Sequence, residues 1–149
     1  MSHFDPVKFM TDDEALKAFN EDVLREFRAN DGKVGGVFEH VDVGILTTVG
    51  AVSGRRRVTP LVCLRVDDRM LVIGSRGGAP DDPAWVRNVR ANPLAELDIG
   101  TESYRVTVHE VVDAERDELF DQVVAVAPVF GDYQSKTSRV IPVFELRRL

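Results

Sequence analysis

Ser53-Gly54-Arg55-Arg56-Arg57 puts three consecutive guanidinium groups into a short turn of a chain whose formal net charge is −6. Converging turn N–H groups can hold an anion, and an arginine adds a planar donor fork matched to phosphate or carboxylate. Side chains alternate on extended backbone, so Arg55 and Arg57 share one face and Arg56 takes the other. Ser75-Arg76-Gly77-Gly78-Ala79-Pro80 offers a second cation, Arg76, beside paired glycines. With no Cβ in the way, those glycines let a flat ligand approach the backbone. In Pro83-Ala84-Trp85-Val86-Arg87-Asn88, followed by Ala91-Asn92-Pro93, Trp85 brings a large aromatic surface. Asn88 lies three residues on, on a similar helix face, and a buried amide demands partners. Tyr133-Gln134-Ser135-Lys136-Thr137, then Arg139-Val140-Ile141-Pro142, is a polar stretch with one phenol. It reads as an irregular segment of the kind that covers a site. Taken singly, each stretch also reads as something ordinary: a solvated turn, a connecting loop, a core tryptophan, a surface connection.

Several chemistries are excluded. One cysteine, Cys63, rules out an intramolecular disulfide framework and a multi-cysteine zinc site. His3, His40 and His109 are too scattered to suggest a metal cluster. No GxSxG elbow, Walker loop, GxGxxG unit or HExxH occurs. The acidic balance argues against nucleic acid as a partner. No run approaches the roughly 20 apolar residues of a membrane span, and MSHFDPVKFM lacks the pattern of a signal peptide, so the expected location is the cytoplasm. Cys63 falls mid-strand, where packing outweighs reactivity. An enzyme built from these parts needs a cofactor for its hard chemistry.

The elements that must position these residues follow from periodicity. At 149 residues, 44% hydrophobic and 30% charged, the chain fits one soluble domain, 1–149, with residues 1–11 as a flexible arm. Thr11 and Glu14 suggest a capping box, and Leu16, Phe19, Val23, Leu24 and Phe27 predict a helix from Asp12 to Ala29. DGKVGG, residues 31–36, is a glycine-rich turn. Strands are expected at Ile45–Val49, Arg57–Val66 and Met70–Ser75. Asp82 as N-cap and Pro83 at the first position predict a short helix ending before Asn92-Pro93. Two further strands, Leu94–Ile99 and Ser103–Val112, lead to a helix over Ala114–Ala127 with Leu119, Val123 and Val126 inward, stopped by Pro128. Val140–Leu146 closes the chain as a strand. Short strands joined by tight turns imply an α+β fold: an antiparallel sheet closed into a barrel, with an N-terminal helix and two others.

The order of the pieces is more specific than any one of them. GAVSGRRRVTPL, a hairpin, SRGGAPDDPAWVRNVRANP and YQSKTSRVIPV together resemble the deazaflavin-dependent nitroreductase family, the split β-barrel F420H2-dependent reductases and quinone reductases of actinobacteria. The resemblance runs from Asn20 to Leu146. It implies an FMN-binding split-barrel-like fold and coenzyme F420 as cofactor. It implies that Ser53, Gly54 and Arg57 hold the cofactor phosphate and neighbouring carboxylates, and that Thr59, Pro60 and Leu61 line the wall beside the deazaflavin ring. Ser75, Arg76, Gly77 and Gly78 are implied at the ring edge and tail, and Trp85, Asn88 and Ala91 on the opposite side. Lys33 is a weaker candidate for the oligoglutamate tail. Tyr133 and Ser75 are the candidate catalytic hydroxyls.

Implied acceptors are quinones, activated alkenes such as unsaturated lactones, and nitroaromatics. Some nitro-reducing members carry tyrosine where this chain has Phe130, so weak nitroimidazole activation is expected. The competing readings are an FMN-dependent split-barrel oxidoreductase, a non-catalytic F420 carrier and a purely structural interaction domain. Peripheral membrane contact through Phe4, Phe9 and Met10 is permitted by the sequence, without a basic face behind it.

Overall fold

The computed structural model describes residue 8 and residues 12–149. The expected arm therefore falls almost wholly outside the described residues, as do Phe4, Phe9, Met10 and Thr11. Helix α1 spans Asp13–Ala29. Its cap is Asp12, whose carboxylate accepts the Ala15 N–H at 3.0 Å, satisfying one of the helix's orphan donors. Phe19, Val23 and Phe27 are its buried positions. They pack with Val34 on Val43 and Ile45 of the first strand.

Six strands follow: β1 (Asp42–Val49), β2 (Arg56–Val66), β3 (Arg69–Ile73), β4 (Leu94–Ile99), β5 (Glu102–Val111) and β6 (Val143–Arg148). They close in the order β1-β2-β3-β6-β5-β4, every pair antiparallel. The period of two sorts their side chains. Leu46, Val72, Leu97, Val106 and Phe144 fill the interior together with Trp85, Val86 and Val89 of helix α2 (Ala84–Ala91). Leu64, Leu71, Ile73 and Val143 face outward beneath helix α3 (Asp113–Val126) and helix α4 (Val129–Ser135). The antiparallel α+β barrel is thus the architecture that hairpin spacing implied.

Four local expectations are corrected. The segment after Pro128 is not irregular: Pro128 occupies the cap position of α4, where its missing N–H costs nothing. Tyr133 therefore stands on a helix. Val126 is exposed, and α3 buries Arg116, Leu119, Phe120 and Val123 instead. Pro83, not Asp82, holds the cap position of α2, which frees the Asp82 carboxylate for Arg139 at 2.7 Å and Arg90 at 3.1 Å. The last strand begins at Val143 rather than Val140. Ile141 gives its N–H to Gln134 and its carbonyl to Arg116, so it has none left for a strand ladder.

Candidate functional site

Two concavities meet on one side of the barrel. The first is an apolar cavity of about 400 Å³. Its walls come from the inner face of α1 (Leu16, Phe19, Val23), from Thr59, Pro60 and Leu61 of β2, from Ser75–Gly77, and from Phe130 and Tyr133 of α4. The second is an open polar cleft of about 600 Å³ between the Gly50–Ser53 turn, the start of β2 and α2. Arg56, Arg57 and Arg87 line the cleft. Thr59 and Trp85 line both, so the cleft and the cavity adjoin there.

The cleft is shaped by the β1–β2 turn. Gly50 and Arg55 pair across it at 2.8 Å, and the Gly54 N–H returns to the Gly50 carbonyl at 2.9 Å. Ser53 Oγ accepts from the Arg55 N–H at 3.1 Å and from Arg57 at 3.4 Å. Asn88 is buried, and its amide explains why. Its oxygen accepts the Ala51 N–H at 2.9 Å and its nitrogen donates to Thr48 Oγ1 at 3.4 Å, fastening the turn to α2. Arg56, though part of the cleft wall, directs its guanidinium to Glu96 at 2.8 Å. Hydrogen bonding and charge from Arg56 hold the Glu96 carboxyl below the usual carboxylate range. Arg57 and Arg87 are in no ion pair among the described residues, and both are exposed.

The cavity's polar points are few. Ser75 and Tyr133 are buried in its wall. The Tyr133 phenol is raised above its ordinary 10, first by burial and then by the Asp132 carboxylate, so it stays a protonated donor. Phe130 meets the Tyr133 ring edge-on at 5.8 Å between centroids. Arg76 pairs with Asp13 at the start of α1. Cys63 is buried beside the barrel interior with its thiol pushed up to about 12 by burial, which fits packing rather than reactivity.

The structure brings together most of the residues singled out from sequence. Ser53, Arg57, Thr59, Trp85 and Asn88 line the cleft; Thr59, Pro60, Leu61, Ser75, Arg76, Gly77, Trp85 and Tyr133 line the cavity. Gly54 closes the turn with φ +69° without lining either. Gly78 is buried with φ +87°, and a Cβ there would stand 2.5 Å from the Tyr133 carbonyl oxygen. Its close approach is therefore to protein. Ala91 is exposed at the last position of α2, and Lys33 is exposed beyond α1; neither lines a concavity.

Two contributors were missed. Arg87 sits inside the PAWVRN stretch, one residue before Asn88, and its place in the cleft follows from helix geometry once α2 is docked. Arg139 holds the cavity's loop wall from behind. It donates to the carbonyls of Gly74 (3.1 Å), Ser75 (2.8 Å) and Ala79 (2.8 Å) and to Asp82. A lone arginine in a polar stretch carries no sequence signal for such a role.

An apolar slot beside a guanidinium-lined groove suits a molecule that is flat at one end and anionic at the other. The donors of Arg57, Arg87 and the turn fit phosphate and carboxylate groups, and Trp85, Pro60 and Leu61 fit a ring. The comparisons converge on such a ligand. The family model described as F420H(2)-dependent quinone reductase matches residues 21–147. An F420H(2)-dependent quinone reductase of Mycobacterium tuberculosis is 34% identical over 126 residues, covering 82% of this chain and 85% of that one. A solved F420-H2 dependent reductase is 34% identical with a TM-score of 0.63, covering 70% of this chain and 93% of its own. A structure described as a domain-swapped dimer is 30% identical with a TM-score of 0.63, covering 85% and 98%. Sequence match and site geometry agree, and the chain belongs to the F420H2-dependent quinone reductase family of oxidoreductases.

Proposed function

We propose that this protein binds F420 with its anionic tail in the arginine cleft and its ring in the apolar cavity, and that it reduces quinones there. Activated alkenes are proposed as further acceptors, and nitroaromatics as poor ones. The observation that carries this reading is that the apolar cavity and the arginine-lined cleft adjoin, with Thr59 and Trp85 lining both.

Ser53, the Gly54 turn and Arg57 would hold the phosphate, and Arg87 the carboxylates beyond it. Two unpaired guanidiniums in one cleft are more than a single FMN phosphate needs. Thr59, Pro60, Leu61 and Trp85 would flank the ring, with Ser75–Gly77 at its edge. When bound, F420H2 supplies a hydride from a ring carbon that stands where flavins carry nitrogen. The protein's own tasks are orientation, exclusion of water and stabilisation of charge on the acceptor. Leu16, Phe19 and Phe130 keep the cavity apolar, which strengthens every polar contact inside it. The Tyr133 phenol and the Ser75 hydroxyl are the proposed donors to the acceptor's oxygen. Both residues line the cavity in which the acceptor would sit.

The protein is proposed to act in the cytoplasm. Among the described residues no helix is long and apolar enough to cross a membrane. The apolar face of α1 is turned to the barrel and the cavity. Exposed Val37, Val41 and Val129 at the cavity's edge are the proposed route for any peripheral membrane contact, which vesicle co-sedimentation measures.

Anaerobic oxidation of F420H2 by menadione, an enone and a nitroimidazole is the direct test. Menadione turnover well above nitroimidazole turnover supports the reading. Tight F420 binding without reduction of any acceptor converts it to the carrier reading, and FMN bound in preference to F420 overturns it.

A further inference from the structure

Arg76, Gly77 and Gly78 have φ of +44°, +64° and +87°. Three successive left-handed residues, one of them not glycine, persist only where the surroundings over-determine them. Within the loop there are just the Gly78 N–H to Ser75 carbonyl bond (2.9 Å) and the Ala79 N–H to Arg76 carbonyl bond (3.2 Å). From outside, Asp13 pairs with the Arg76 side chain and the Pro142 carbonyl takes the Gly74 N–H, and the loop's own carbonyls on both flanks are gathered by one guanidinium. Arg139 places Nε on the Ala79 carbonyl, one terminal nitrogen on the Gly74 carbonyl and Asp82, and the other on the Ser75 carbonyl. Four acceptors on both flanks of the left-handed run are spanned by one rigid fork. A lysine ammonium, a point donor with three protons, does not reach all four.

The segment that carries Arg139 is itself tied down. Its carbonyl accepts from Gln134 Nε2 at 2.7 Å. Gln134 Oε1 accepts from the Ile141 N–H at 3.0 Å and from Arg116 at 2.9 Å. Arg116, a buried residue of α3, donates twice more to the Ile141 carbonyl. Gln134 follows Tyr133 on α4, and Gly78 packs on the Tyr133 carbonyl from the other side. The two polar walls of the cavity, Ser75 and Tyr133, are thereby joined through Arg139, which lines neither concavity.

The geometry points to Arg139 as a positioning residue that fixes the Ser75–Gly77 wall in its left-handed form and sets its distance from Tyr133, so that F420 affinity and turnover depend on it without contact. The inference rests on the proposed function for the identity of the ligand, and not for the clamp itself. Arg139→Met and Arg139→Lys in the full chain test it. Amide hydrogen exchange of the peptide spanning 74–82, measured without cofactor, is expected to quicken at least tenfold in Arg139→Met and by less in Arg139→Lys. Peptides from β4 and β5 are expected to exchange as in the wild type. F420 affinity, read by fluorescence titration, is expected to fall at least tenfold, with lysine restoring part of it.

Unchanged exchange over 74–82 overturns the clamp. Quickened exchange with F420 affinity within twofold of wild type overturns its link to binding. Exchange that quickens equally throughout the barrel shows a general stabilising role and overturns the assignment. Should Arg139→Met fail to fold, Arg139→Lys provides both readings. A wild-type protein that does not bind F420 overturns the proposed function, and the exchange result then decides the clamp alone.

Discussion

Tyr133 illustrates how burial suits one group to the task proposed for it. A phenol in an apolar wall next to a carboxylate is harder to ionise than one in water, and both influences act on Tyr133. Both raise it above its ordinary value, so it remains a protonated donor through neutral and mildly alkaline pH. Turnover with menadione is expected to show no fall attributable to this phenol below about pH 9. A descending limb in that range that disappears in Tyr133→Phe contradicts the assignment. The same variant is expected to lower kcat by roughly 10²-fold with little change in KM, the loss typical of one preorganised donor to developing charge. Phe130, edge-on to that ring, presents carbon where a second hydroxyl would add a donor. Phe130→Tyr is expected to raise nitroimidazole turnover relative to menadione. If the ratio of the two rates is unmoved, position 130 does not select the acceptor. Residue types and order pointed to both positions, through a family resemblance; the burial that raises the phenol could be read only from the packed cavity.

Elements hold the site through a few buried polar bonds. Asn88 couples α2 to the β1–β2 turn through Ala51 and Thr48. Asn88→Ala leaves the Ala51 N–H without its partner, at about 1–3 kcal/mol. Denaturant unfolding should report that loss, with weaker F420 binding alongside, because the turn that carries Ser53 and Arg57 loses its anchor. Glu145 on the outer face of β6 is buried and paired with Arg69 and Arg147. Burial alone would raise its carboxyl, but hydrogen bonds from Arg147 and Arg69 outweigh this and hold it below the ordinary range. A carboxyl that ionises more readily folded than unfolded contributes stability above its unfolded value, about 4.3. That contribution is lost as pH falls through the folded value. Glu145→Gln should therefore cost stability at pH 7 and lose less than wild type on acidification from about pH 5, as thermal melts across that range would show. Hydrophobic period made the strands and α1 legible. It could not reveal α4, whose seven residues include a glycine and only two buried side chains. A helix that short is held by its contacts with the barrel rather than by its own pattern.

At the scale of the molecule, charge is distributed against its own average. The formal net charge is −6, yet Arg57 and Arg87 face one cleft with no acidic partner among the described residues. A polyanion approaching this protein is repelled by the whole and attracted by the groove, so binding depends on fields that reach about 8 Å at physiological ionic strength. F420 affinity is expected to fall as salt is raised from about 0.05 to 0.5 M. Arg57→Ala and Arg87→Ala should each lower affinity and flatten that dependence. Affinity that ignores salt would place the tail elsewhere.

By itself the sequence determined what local chemistry can determine. Alternation of apolar residues and short turns made an antiparallel barrel, and SGRRR, SRGG and PAW-x-x-N in that order marked the family and the candidate site. Those features are legible because strand period, turn composition and cation clustering are properties of neighbours along the chain. Tertiary structure decided the rest. It paired Arg56 with Glu96 and left Arg57 and Arg87 facing the cleft. It turned Gly78 toward Tyr133 rather than toward a ligand, and it sent Arg139 across to the 74–82 loop. Each outcome depends on partners 40 to 65 residues apart in sequence. Which of several similar arginines is neutralised, left exposed or made into a clamp is set by distance in space, and residue type carries no record of that distance.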